Sequence, residues 1–212
     1  MSDSHRLPAL FSGSLGFVLE FTPTGVTAIR AQSARELVAG MKPLLTEHTP
    51  HCTLSHAKVR NAPREALVAG LAAVREGIAG LSFASNRFTL IGGRFQVIQA
   101  EVPRIELQFA ALRAAFVLRP WLDRSAVAAA VNEGLSLSSG QRWCLDTFGH
   151  PLSVPDVENG QFNRALHVSI GYWPGEETIT YEPRRHAIYC QIANVRLAKM
   201  GPLGVVEYLF DD

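Results

Sequence analysis

The sequence predicts an α+β protein made of two related lobes. Three observations lead there. Strand patterns come in hairpin-like groups instead of alternating strictly with helices, which argues against a doubly wound parallel sheet. The order of elements is coarsely echoed, each half placing a short histidine-bearing strand beside helices and longer strands. The length, 212 residues with 47% hydrophobic residues, is enough to bury a sizeable core without disulfides or metal.

Residues 1–13 read as an irregular start. Gly16 to Phe21 is a strand, with Phe17, Leu19 and Phe21 on one face and Pro23 and Gly25 breaking it. Val26 to Arg30 reads as a second short strand. Ala31 to Met41 reads as a helix in which Ser33 and Glu36 form a capping box and Pro43 is the stop. His51 to His56 is the next strand. Ala62 to Ile78 is an amphipathic helix, since Leu67, Leu71, Val74 and Ile78 recur at helical spacing and Pro63 suits its first turn. Leu81 to Leu90 and Arg94 to Val102 are strands joined by a Gly92-Gly93 hairpin. Ile105 to Val117 is a helix, Ser125 to Val131 is helical, and Ser136 to Gly140 and His150 to Gly160 are loops. Strands are expected at Ala165 to Tyr172, Arg185 to Leu197 and Val205 to Phe210.

Composition narrows the function classes. Twenty Lys+Arg balance nineteen Asp+Glu for a net charge of +1, which argues against a protein that coats long nucleic acid through bulk charge. A site for one or two phosphates remains compatible. The three cysteines, Cys52, Cys144 and Cys190, contain no C-x-x-C and read as reduced thiols of a cytoplasmic protein. Met1 to Leu10 has no signal-peptide core, and no apolar run is long enough to span a membrane.

Two tripeptides carry the chemistry: His51-Cys52-Thr53 and His167-Val168-Ser169, followed by Leu54 and Ile170. Side chains on a strand alternate with period two. His51 and Thr53 then share one face and Cys52 and Leu54 the other; His167 and Ser169 face out while Val168 and Ile170 face the core. Imidazole titrates near neutral pH. Of two imidazoles across a phosphodiester, the neutral one takes a proton from the attacking hydroxyl and the protonated one gives its proton to the leaving oxygen, each transfer contributing roughly 10²–10⁴-fold. A hydroxyl two residues along can donate to a nonbridging phosphate oxygen. Chance supplies about one His-x-Ser/Thr tripeptide in such a chain; the weight lies in the matched apolar positions and in one copy per half.

The pair His51-Cys52-Thr53-Leu54 and His167-Val168-Ser169-Ile170 resembles the 2H phosphoesterase superfamily, which includes RNA 2′,3′-cyclic phosphodiesterases and bacterial 2′-5′ RNA ligase-like (LigT-like) proteins. The resemblance implies a single bilobal domain over residues 1–212, with antiparallel-sheet lobes, helices outside and a pseudo-twofold cleft to which each lobe gives one motif strand. It also implies metal-independent work on a cyclic or 2′-5′ phosphodiester of a nucleotide or RNA end. Ser169 stands where Thr is more usual. The separation of the motifs suggests an insertion at 119–160. Three residues past each hydroxyl stand His56 and Tyr172.

Tyr172 and Trp173 are candidates to stack on a nucleobase, Tyr172 needing a bend near Gly171 to reach the site. His56 is the remaining substrate-binding candidate, although plain alternation puts it on the face opposite His51. Glu47, His48, His51 and His56 match no standard metal spacing. Arg184-Arg185-His186 reads as a solvated turn, Gly92-Gly93 as a hairpin turn, and Cys52 as inert. The expectation is therefore a monomer without metal or cofactor, acting on a small phosphodiester and binding neither extended nucleic acid nor membrane.

Overall fold

The computed structural model describes residues 5–36, 42–43, 50–85, 88–91, 96–126, 139–149, 166–173, 187–201 and 205–211. Its strands are β1 (Leu10–Phe21), β2 (Lys42–Pro43), β3 (His51–Pro63), β4 (Ser82–Ser85), β5 (Phe88–Ile91), β6 (Gln96–Glu101), β7 (His167–Trp173), β8 (Ile188–Met200) and β9 (Val206–Leu209). Its helices are α1 (Pro23–Glu36), α2 (Arg64–Arg75), α3 (Ile105–Leu118), a 3₁₀ turn at Arg119–Trp121, and α4 (Ser139–Phe148). The strands form one sheet in the order β4-β8-β1-β3-β7-β6-β5, with β9 beside β8 and β2 beside β7. Every ladder among the named strands is antiparallel.

The sheet is two half-sheets joined at a narrow seam. β4, β8, β1 and β3 form one half, and β7, β6 and β5 the other. The seam ladder between β3 and β7 contains the pair Cys52–Val168. One sheet face buries Phe17, Leu19, Cys52, Leu54, Val168, Ile170, Val195 and Leu197 in the main core together with Leu67, Leu71 and Val74 of α2 and Leu107, Ala111 and Leu118 of α3. Removing this apolar surface from water, at about 25 cal/mol per Å², is the main force holding the helices to the sheet. Gly70 lets α2 and α3 approach closely, because Val117 fills the space its side chain would take. The α+β class and the antiparallel lobes with helices on one side match the expectation from sequence.

Several boundaries differ. Val26 to Arg30 is not a strand, and Ser33 lies inside a helix instead of at its start: a single helix runs from Pro23 to Glu36. Its cap is Thr22, whose Oγ1 accepts from the Gly25 N–H at 3.3 Å and whose carbonyl accepts from Val26 N–H at 2.9 Å. Pro23 then suits the first turn. The β-branched Val26, Thr27 and Ile29 suggest a strand, but Ile29 is fully buried in the core, and packing outweighs propensity. Leu81 to Leu90 is two strands in different halves, β4 pairing with β8 and β5 with β6. Ala62 lies at the end of β3, and α2 starts at Arg64. The strands β1 and β8 differ from the expected bounds and begin at Leu10 and Ile188, and Ser139-Gly140 belongs to a helix, not a loop.

Gly92-Gly93, His150–Gly160 and Arg184–His186 lie outside the described residues, as do parts of the expected helices at 37–41 and 127–131 and most of the expected insertion at 119–160. Among the described residues, no helix is long and apolar enough to cross a membrane.

Candidate active site

The seam places the two motifs together. Cys52 pairs with Val168 in an antiparallel ladder, and these are the middle residues of the two tripeptides. A local twofold through that pair carries His51 onto His167 and Thr53 onto Ser169. One step either way along the register sets His51 level with Ser169, and Thr53 level with His167. Residues level with each other in an antiparallel pair share a face, and diagonal neighbours lie about 7–8 Å apart. The imidazoles of His51 and His167 occupy such a diagonal, and the hydroxyls of Thr53 and Ser169 occupy the other.

Burial agrees with this arrangement. His51, Thr53, His167 and Ser169 are half-buried, while Cys52, Leu54, Val168 and Ile170 are 0% exposed. The motif side chains thus stand on the face opposite α2 and α3.

Both motif strands are bulged at the same place. Along β1 the register steps from Val18–Thr53 to Phe17–Ser55, so Leu54 is an extra residue in β3. Along β6 it steps from Gln99–Ser169 to Ile98–Gly171, so Ile170 is an extra residue in β7. A bulge shifts the alternation by one. In β3, Leu54 and Ser55 are both buried and His56 is half-buried again. His56 therefore joins His51 and Thr53 on the site face, correcting the expectation of opposite faces. Tyr172 holds the backbone position that corresponds to His56, pairing with Val97 as His56 pairs with Gly16. The bend expected near Gly171 is this bulge at Ile170. The side chains of Tyr172 and Trp173 lie outside the described residues.

Gly16 makes room for His56. A Cβ at Gly16 would lie 2.7 Å from Met200 Sδ and 3.3 Å from His56 Cβ. Met200 belongs to a small separate cluster with Val18 and Ala198, against which Val206 and Leu209 pack. Val18 pairs with Thr53 and Ala198 with Gly16, so this cluster forms an apolar shoulder on the site face beside the first motif.

Three charged residues on this face escaped the sequence reading. Glu20 stands opposite His51, Glu101 stands opposite His167, and Arg196 stands opposite Val18. Arg196 Nη1 is 3.6 Å from Glu20 Oε2, and its Nη2 donates to the Phe210 carbonyl at 2.7 Å. The available signal was a carboxylate inside an apolar strand, in GFVLEF and in QVIQAE.

Cys52 and Cys190 face the core. They are buried and form no disulfide among the described residues, and burial pushes the Cys190 thiol up to about 11, far from a reactive thiolate. Among the described residues, no group of three or more His, Cys, Asp or Glu is placed to hold a metal; Glu47 and His48 lie outside them.

Comparison with solved structures finds chains of similar path along nearly the whole length. TT0787 of Thermus thermophilus is 18% identical, covering 93% of this chain and 95% of its own, with a TM-score of 0.47. Escherichia coli LigT complexed with 3′-AMP is 11% identical, covering 95% and 100%, with a TM-score of 0.48. A structure described as a phosphoesterase is 13% identical, covering 95% and 100%, with a TM-score of 0.44. No protein-family model matches the sequence, and no curated protein matches it. Likeness at this level concerns chain path and says nothing of chemistry.

Proposed function

We propose that the protein is a metal-independent phosphodiesterase of the two-histidine type, acting on a cyclic 2′,3′- or related phosphodiester, or on a 2′-5′ linkage, of a nucleotide or RNA end. The observation that carries this reading is the Cys52–Val168 pairing, which sets two His-x-Ser/Thr motifs, distant in sequence, about a twofold on one face.

A phosphate seated between the diagonal imidazoles has a histidine on each side of phosphorus. One neutral imidazole accepts the proton of the attacking water. The other, protonated, donates to the departing ribose oxygen, so that no alkoxide is released. Thr53 and Ser169 donate to the nonbridging oxygens, where negative charge grows in the transition state. The roles of His51 and His167 exchange when the reaction runs backwards. His56 and one of Tyr172 and Trp173, since neighbours on a strand face opposite sides, are proposed to contact the nucleoside, and residues 119–160 to shape substrate preference. Near-neutral net charge fits recognition of one local phosphodiester better than a long polyanion.

The test is turnover of a panel of nucleoside 2′,3′-cyclic phosphates, 2′-5′ dinucleotides and ADP-ribose cyclic phosphate with chelator present. Hydrolysis of at least one class, resistant to chelator, is the expected outcome. Binding without turnover across the whole panel would make the protein a nucleotide or RNA-end binding module instead.

A further inference from the structure

We propose that Glu20 and Glu101 are positioning residues, each holding one of the two histidines in a fixed orientation and tautomer. The inference rests on the two-histidine reading of the site and adds a pair of carboxylates to it. Glu20 lies directly across the ladder from His51, and Glu101 directly across from His167. Directly opposed residues of an antiparallel pair have Cβ atoms about 4.5–5.5 Å apart on the same face. That is within reach of a glutamate carboxylate and an imidazole nitrogen.

Three features set these residues apart from surface glutamates. Each is the sole acidic residue of its strand: β1 reads LFSGSLGFVLEF and β6 reads QVIQAE. The strands come from unrelated stretches of chain, yet both acids fall at the same place under the twofold through Cys52 and Val168. Both are half-buried, in strands, where glutamate is disfavoured.

A carboxylate at such a distance does two things to an imidazole. By accepting from one ring N–H it fixes which nitrogen faces the substrate. It also favours the imidazolium that forms when the base takes its proton, or that the acid must carry beforehand. The groups facing His51 are Glu20 on β1, Arg196 beyond it on β8, His56 on its own strand and His167 on β7. Those facing His167 are Glu101 on β6 and His51 on β3. Arg196 is held against Glu20, so replacing Glu20 by glutamine removes an anion and leaves a cation near His51. Both changes disfavour the imidazolium. The sign is therefore the same in both halves: E20Q lowers the proton affinity of His51, and E101Q lowers that of His167.

The experiment is NMR titration of the two imidazoles in wild type, E20Q and E101Q, assigned with H51A and H167A, alongside pH–rate profiles. The expected result is a downward shift of roughly one pH unit confined to the histidine opposite the substituted glutamate, with kcat reduced about 10–100-fold and KM little changed. In the bell-shaped profile, E20Q and E101Q should move different limbs, and the limb that moves identifies base or acid. E20D and E101D, which keep the charge on a shorter arm, should restore the titration more fully than kcat. Unchanged titration of both histidines in both glutamine variants overturns the proposal, as does an equal shift of both histidines in each. Absence of turnover in the wild type would sink the two-histidine reading, while the titration would still decide on the glutamates.

Discussion

The motif strands β3 and β7 share a plan up to their bulges and part company beyond them. Each presents a histidine and a hydroxyl, then an extra apolar residue, Leu54 or Ile170. Past the bulge, β3 continues with Ser55 and His56 against Phe17 and Gly16. β7 continues with Gly171 and Tyr172 against Ile98 and Val97. β3 runs on to thirteen residues, and β7 is described over seven. The shared part is what proton transfer to and from one phosphate requires. The divergent part is where a substrate's two unlike ends would be told apart. On the proposed reading, chemistry is duplicated across the seam, and recognition is not.

The largest effects should test the duplication. H51A and H167A are each expected to lower turnover about 10³-fold with the fold retained by circular dichroism, and the double variant should lose little more than either single. Strict additivity would mean that the histidines do not act as one unit. T53A and S169A come next, at about 10²-fold each in kcat; a loss in one alone would show that the hydroxyls are not equivalent.

Smaller effects should test the divergence. G16A crowds the Met200 side chain and the Cβ of His56, so a stability loss of about 1–2 kcal/mol and a raised KM with kcat nearly intact are expected in denaturation and kinetics. A fall in kcat with KM unchanged would place His56 in the chemistry instead. The smallest effect concerns Ser55, whose buried Oγ has no hydrogen-bond partner among the described residues and whose counterpart in β7 is Gly171. S55A should raise the urea midpoint by the equivalent of up to about 1 kcal/mol. Destabilisation would mean that the hydroxyl is satisfied by water.

Much of this site is legible in the sequence, and what is hidden has a physical reason. The tripeptides announce themselves because alternation alone sorts His51 and Thr53 from Cys52 and Leu54. The bulge in β3 does not, because Leu54 is an ordinary apolar residue and no glycine stands beside it, whereas Gly171 marks the one at Ile170. Alternation puts His56 on the wrong face for that reason alone. Glu20 and Glu101 are hidden because register is a property of two strands together, and neither strand's own pattern states its partner. In the fold, α1 misleads where β-branched residues favour a strand and burial of Ile29 favours a helix, whereas α2 and α3 follow their periodicity because propensity and packing agree there.

The Cys52–Val168 seam also has a kinetic consequence. Its two residues are more than a hundred positions apart in the chain, while β1–β3 and β6–β7 close over shorter stretches. Loop closure makes distant pairings the slow ones, so the β1–β3 and β6–β7 pairs should form before the seam joins them, with β8, whose pairing to β1 spans still more of the chain, also adding late. The paired motifs then come together in a late docking event, and recovery of turnover after dilution from urea should lag recovery of secondary structure. During synthesis the first motif would wait on the order of 10 s for its partner, which would make turnover a clock for the completion of the fold.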